Sequence, residues 1–180
     1  MVIFVAGVHG VGKTYLCESF TAKTGIKHSS ASTLIKNELK TVNWESNKLV
    51  SGIDSNQAAL TKAVDRLTEN GSKLLLDGHF VLKGLDGNLV QVGENTFKEL
   101  HLSAIILIEA PSNLIVERLL ARDKNSNVGD ISTFIKAERD RASFISLLLN
   151  IPLLILDQPS DQSFQLLIAD LFEIHLEQEA

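Results

Sequence analysis

Short runs of continuous apolar residues alternate along this chain with longer stretches in which apolar residues recur every three or four positions. Val2-Ile3-Phe4-Val5-Ala6, Lys73-Leu74-Leu75-Leu76-Asp77, Ser103–Glu109 and Leu153–Asp157 are of the first kind. They lack the polar alternation of a half-exposed strand and predict strands buried in a parallel sheet. Lys27–Ser30 is a shorter, more polar second strand. Helical spacing predicts helices over Thr14–Ala22 (Leu16, Cys17, Phe20), Ala31–Lys40 (Leu34, Ile35, Leu39), Ser55–Asn70, Pro111–Arg122, Ile131–Asn150 and Ser163–Leu176. Ser30 or Ser32 is a cap for the second of these, Asn70-Gly71 ends the third, and Pro111 takes a first-turn position that needs no N–H.

Two stretches break the alternation. Phe80–Leu82 and Leu89–Val92 flank Asp86-Gly87-Asn88, the signal of a β-hairpin inside 78–93, before a short helix at Thr96–Leu100. Thr41–Asp54 is polar and reads as a loop or short helix carrying Trp44. The longest apolar run, Leu147–Leu156, is too short to span a bilayer and is broken by Asn150 and Pro152; it reads as a helix end turning into a buried strand. The expected fold is α/β: three layers, with a five-stranded, mostly parallel sheet, helices on both faces, and an extra hairpin.

Composition narrows this to one domain over residues 1–180. The chain is 44% hydrophobic and 22% charged, as a globule with a full core should be. A net charge of −5 argues against a general nucleic-acid binder, so no DNA partner is expected, and no membrane partner either. The one cysteine, Cys17, cannot form an internal disulfide, and there is no charged leader with a cleavage site; both fit a cytoplasmic protein. Its helical position makes Cys17 a buried small hydrophobe rather than a reactive thiol.

The candidate chemistry begins at Gly7-Val8-His9-Gly10-Val11-Gly12-Lys13-Thr14, which fits G-x-x-x-x-G-K-[ST] between a strand and a helix. The glycines let successive N–H groups point inward as an anion nest, and the following helix adds its positive dipole end. Lys13 reaches outer phosphates and the Thr14 hydroxyl can ligate Mg²⁺. Asp77 closes a buried strand, as a Walker B acid does, and should emerge at the same sheet edge. His79, two residues on, is either a hydrogen-bonded structural residue or a contact to phosphate, water or second substrate. His9 takes a structural or spacing role; His28, His101 and His175 show no ligand spacing. Arg118 and Arg122 share a helical face beside the polar loop Asp123–Asp130, and Arg139 and Arg141 follow it. These arginines either close over ATP with a lid or pair on a solvated surface with Asp123, Asp130, Glu138 and Asp140.

Taken together, Gly7–Thr14, Asp77-Gly78-His79, Ile105–Pro111, Arg118–Asp123 and Asp140-Arg141-Ala142 resemble small P-loop nucleotide kinases. The likeness is to archaeal-type adenylate kinases and the related eukaryotic nuclear adenylate kinase/ATPase. It implies a central P-loop strand at the switch point of the sheet. It implies ATP held by Gly7, Gly10, Val11, Gly12, Lys13, Thr14 and Tyr15, and Mg²⁺ by Thr14 and Asp77. Lys13, Arg118, Arg122, Arg141 and His79 would serve catalysis. The lid would lie at about 122–131 and the acceptor region at about 29–57, with Ser32–Lys36 and Gln57 at its border. The chain departs from the family in its hairpin, in Asp140 where asparagine is usual, and in a loosely matching acceptor region that inserts Trp44, a residue suited to stacking on a base or to packing.

The implied reaction is transfer of the γ-phosphate of Mg-ATP to a nucleoside monophosphate, AMP-like, or to a similar small acceptor. A second possibility is an ATP-hydrolysing switch that acts on a partner protein through 78–93. A third is nucleotide binding without turnover.

Overall fold

Val2–Ala6 (β1) is buried along its whole length because it lies at the centre of a five-stranded, all-parallel sheet. The computed structural model describes residues 1–41, 52–84, 87–124 and 129–176; Trp44, Asp86 and residues 125–128 of the expected lid lie outside the described residues. With Lys27–Ser30 (β2), Leu74–Asp77 (β3), Leu102–Glu109 (β6) and Leu153–Asp157 (β7), the strand order is β2-β3-β1-β6-β7. The strand before the glycine-rich loop therefore sits where the order reverses, at the switch point. Val81–Lys83 (β4) and Leu89–Gln91 (β5) pair antiparallel as the expected separate hairpin. Its turn is closed by bonds from Gly87 N to Gly84 O (3.0 Å) and from Gly84 N to Asn88 O (2.8 Å).

Seven α-helices are present among the described residues: Lys13–Thr24 (α1), Ala31–Thr41 (α2), Gly52–Thr68 (α3), Glu94–Glu99 (α4), Ser112–Arg122 (α5), Ile131–Leu149 (α6) and Asp161–Leu171 (α7). Ser30 is the cap of α2, accepting from Thr33 N at 3.2 Å. Helix α3 starts earlier than the apolar spacing indicates, so the expected loop is helical from residue 52. Asn70 and Gly71, both at positive φ, turn the chain into β3. Helix α7 is shorter than expected at its C-terminus and starts at Asp161, because Ser160 caps it by accepting from Ser163 N.

The expectation that the last strand is buried is corrected: β7 is one of the two edges of the sheet, and Ile155 is 43% exposed. An apolar run alone cannot tell an edge strand from a central one. An aromatic cluster fills the core where β1 meets the segment after β3. Phe4, Phe80 and Phe97 pack there with ring centroids 4.8–5.6 Å apart. Cys17 is fully buried, and the loss of water pushes its thiol pKa up, as expected of an unreactive core residue.

Candidate functional site

The parallel register brings Asp77 beside Val5 and Ser30, two residues before the loop that leaves β1. Gly7, Gly10 and Gly12 all have positive φ (141°, 82° and 109°). A Cβ on Gly10 would lie 3.0 Å from Leu119, so α5 seats the loop from outside. Lys13 opens α1 and is buried, its ammonium donating to Gly7 O at 2.7 Å and Val8 O at 3.2 Å. Burial lowers its pKa to about 8, against the opposing pull of Asp77 and then Glu138. The loop thus folds around a desolvated cation held by carbonyl oxygens, a site that gains when an anion arrives.

Thr14 Oγ1 donates to Asp77 Oδ2 at 3.3 Å. The same oxygen is 2.7 Å from His28 Nε2 on β2. Sequence reasoning missed His28 because its partner is 49 residues away and only the β2–β3 pairing joins them. Tyr15 is exposed, and its hydroxyl donates to Asp161 Oδ2 at the start of α7 (3.1 Å), an oxygen that Ser19 also uses (3.0 Å).

The ring of His9, within the loop, lies 4.0 Å from that of His79. The His9 pKa is lowered to about 4, first by loss of water around the ring, then by His79, Lys13 and Arg122, so the ring is neutral at pH 7. Gly78 lies against Phe4, where a Cβ would come within 2.8 Å of the ring. The middle residue of Asp77-Gly78-His79 is therefore set by packing. His79 Nδ1 lies 3.7 Å from Glu138 Oε1.

Expectation and structure part over the charged residues of α6. Glu138 does not sit on a solvated surface; it is 1% exposed and faces the backbone behind the loop. Arg139 turns away from the loop onto Glu109 at the end of β6, donating from Nε at 2.8 Å and from Nη2. Arg141 is directed to the hairpin, with Nη2 on Val92 O at 2.9 Å and its guanidinium 4.9 Å from the Phe144 ring. Only the arginines of α5 stay with the loop. Arg118 Nη1 donates to Val11 O at 3.0 Å, and Arg122 is close enough to influence His9. A helical period shows which residues share a face, not what that face meets. Gln57 lies next to Gly93, at the same end of the hairpin as Arg141.

A family model described as an AAA domain matches residues 6–133, from the end of β1 into α6. The adenylate kinase of Thermoplasma acidophilum is 30% identical over 129 residues, covering 68% of this chain and 70% of that protein. Among solved structures, a putative kinase from Chloroflexus aurantiacus aligns over 96% of this chain and 95% of its own, with a TM-score of 0.56 and 18% identity. A sugar kinase from a Janibacter species aligns over 96% and 94%, with a TM-score of 0.54 and 12% identity. At those identities the two structures speak to the fold. No helix among the described residues is long and apolar enough to cross a membrane.

Proposed function

Because this chain belongs to the AAA-domain family and is a P-loop nucleotide kinase of adenylate kinase-like type, we propose that it transfers the γ-phosphate of ATP to a nucleoside monophosphate, AMP-like, or a similar small acceptor. The observation that carries this reading is Lys13, a buried cation held by two carbonyl oxygens of a loop built to receive phosphate. The pair Thr14 Oγ1 and Asp77 Oδ2, a hydroxyl and a carboxylate, fits Mg²⁺, which takes few protein oxygens when it is shared with phosphates. When bound, that ion would neutralise charge on the phosphate oxygens.

In the proposed reaction an oxygen of the acceptor phosphate forms a bond to the γ-phosphorus. The bond from that phosphorus to the β–γ bridging oxygen breaks, and its electrons leave with ADP. The acceptor phosphate is already ionised, so no general base is needed, and positioning supplies most of the rate. Lys13, Arg118 and Arg122 stabilise charge on the moving phosphoryl group. Arg141 reaches it only by giving up the Val92 carbonyl, a change suited to closure of a lid at 122–131 over an acceptor held by 29–57. The test is a panel of nucleoside monophosphates, nucleosides and small acids with Mg-ATP. A diphosphate product should appear, with ADP, only with the matching acceptor. Phosphate release from ATP that no member of the panel changes would reject transfer in favour of hydrolysis. That second reading draws on the hairpin, where Leu82 and Val90 are 48% and 50% exposed and suited to a partner protein.

A pH profile follows from Lys13. The reaction needs the ammonium form, and in the free protein that form is lost as pH rises through about 8. Phosphates bound beside it favour the charged form and raise its pKa. The expected result is kcat/KM for ATP falling above about pH 8, with the fall in kcat displaced to higher pH. Coincident alkaline limbs would show that Lys13 is not the titrating group.

A further inference from the structure

Glu138 is a buried carboxylate with both oxygens hydrogen-bonded behind the glycine-rich loop, and the reaction above does not employ it. It is the eighth residue of α6, so the two helical turns between it and the Asp130 cap set its distance from the end of the expected lid. Its Oε1 accepts from Gly7 N at 3.3 Å and Phe80 N at 3.0 Å. Its Oε2 accepts from Phe80 N at 3.0 Å and Val81 N at 2.8 Å. Gly7 is the first residue of the phosphate loop, and Phe80 and Val81 follow Asp77-Gly78-His79. One carboxylate therefore ties together the two chain segments that carry Lys13 and Asp77.

We propose that Glu138 is a positioning residue which locks the phosphate loop and the Asp77-Gly78-His79 turn to each other and to α6. Three features make it suited to this. Every donor it accepts from is a backbone N–H, so the bonds constrain chain path rather than rotamers. The carboxylate can accept at both oxygens, which an amide cannot, because the NH₂ of a glutamine would face an N–H. Phe80 is held a second way, by packing against Phe4 and Phe97, so the turn has little freedom once Glu138 is in place. A displacement of α6 would be felt at both loops together, and errors of about 1 Å in such a site cost about 10²-fold in rate.

This inference rests on the proposed phosphoryl transfer only for its kinetic consequence. The test compares wild type with Glu138→Gln by amide proton NMR, thermal melting and steady-state kinetics. The expected result is a folded variant in which the Gly7, Phe80 and Val81 amide signals shift together. Its kcat should fall about 10²-fold while KM for ATP changes less than about threefold. Unmoved amide signals, or moved signals with kcat intact, would overturn the proposal. So would a loss carried by KM alone.

If Glu138→Gln does not fold, amide exchange in the wild type decides. Slow exchange at Gly7, Phe80 and Val81 supports the bonds, and fast exchange at Gly7 refutes them. If wild type transfers phosphate to no acceptor, the proposed reaction fails on its own. Glu138 is then judged by the amide signals together with ADP affinity. Amide signals that move together while ADP affinity changes less than about threefold support it, and unmoved signals, or a loss of ADP affinity alone, count against it.

Discussion

Replacing Lys13 by Met is expected to lower the rate of phosphoryl transfer by about 10²–10³-fold while the protein stays folded. The two effects separate because the ammonium is poorly accommodated in the free protein. Burial takes its pKa from 10.5 down to about 8, which amounts to roughly 3 kcal/mol against the charged form. Met keeps the unbranched stem, removes the desolvated charge, and gives up two hydrogen bonds to the carbonyls of Gly7 and Val8. These terms oppose each other, so melting should change by no more than a few degrees. In the reaction there is no such compensation. In the proposed reaction the moving phosphoryl group would lose Lys13, the one buried cation among the described residues, whereas Arg118 and Arg122 are both exposed. Rates with saturating ATP and acceptor, measured beside melting curves, check this. A Lys13→Met protein that keeps more than about a tenth of the wild-type rate would remove Lys13 from the mechanism.

Gly7→Ala should be the most damaging glycine-to-alanine change among the described residues. The residue has φ 141°, which L-residues avoid, and the new Cβ would lie 2.4 Å from Ile108 O and 3.1 Å from Val11 Cγ1. Ile108 O is backbone of β6, which is hydrogen-bonded between β1 and β7 and cannot yield locally. Gly7 also donates to Glu138 and accepts from Lys13, so any shift that relieves the clash disturbs both. A cost of about 3–5 kcal/mol follows from strain and overlap together, a loss of roughly 6–20 °C in melting temperature for a domain this size. Gly71→Ala is the matched control, since its φ is also positive but nothing lies within 4 Å of the added carbon. It should cost about 1 kcal/mol. Equal melting temperatures for the two variants would show that the close approach to β6 does not govern this position.

The legibility of the site followed the same division between local and distant contacts. Lys13 and Thr14 could be placed from a spacing of eight residues, because the loop that uses them is contiguous in sequence. Asp77 could be placed because a buried strand closed by an acid delivers it to a known edge, and the register does so. His28 and Glu138 could not be read that way. Each meets its partner across 49 to 131 residues, and nothing in the neighbouring sequence distinguishes either from a surface residue. Arg139 and Arg141 were grouped with the lid because they follow it, yet their guanidinium groups are taken by Glu109 and Val92.

By itself, then, the sequence determined the alternation of strand and helix, the hairpin, and the glycine-rich loop with its lysine and threonine. These depend on periodicity and on glycine's access to positive φ, which act over a few residues. Tertiary structure alone decided which apolar strand became the edge, which histidine reached Asp77, and which carboxylate tied together the segments that carry Lys13 and Asp77. Those outcomes depend on strand order and helix docking, where burial selects a partner by position in space rather than along the chain.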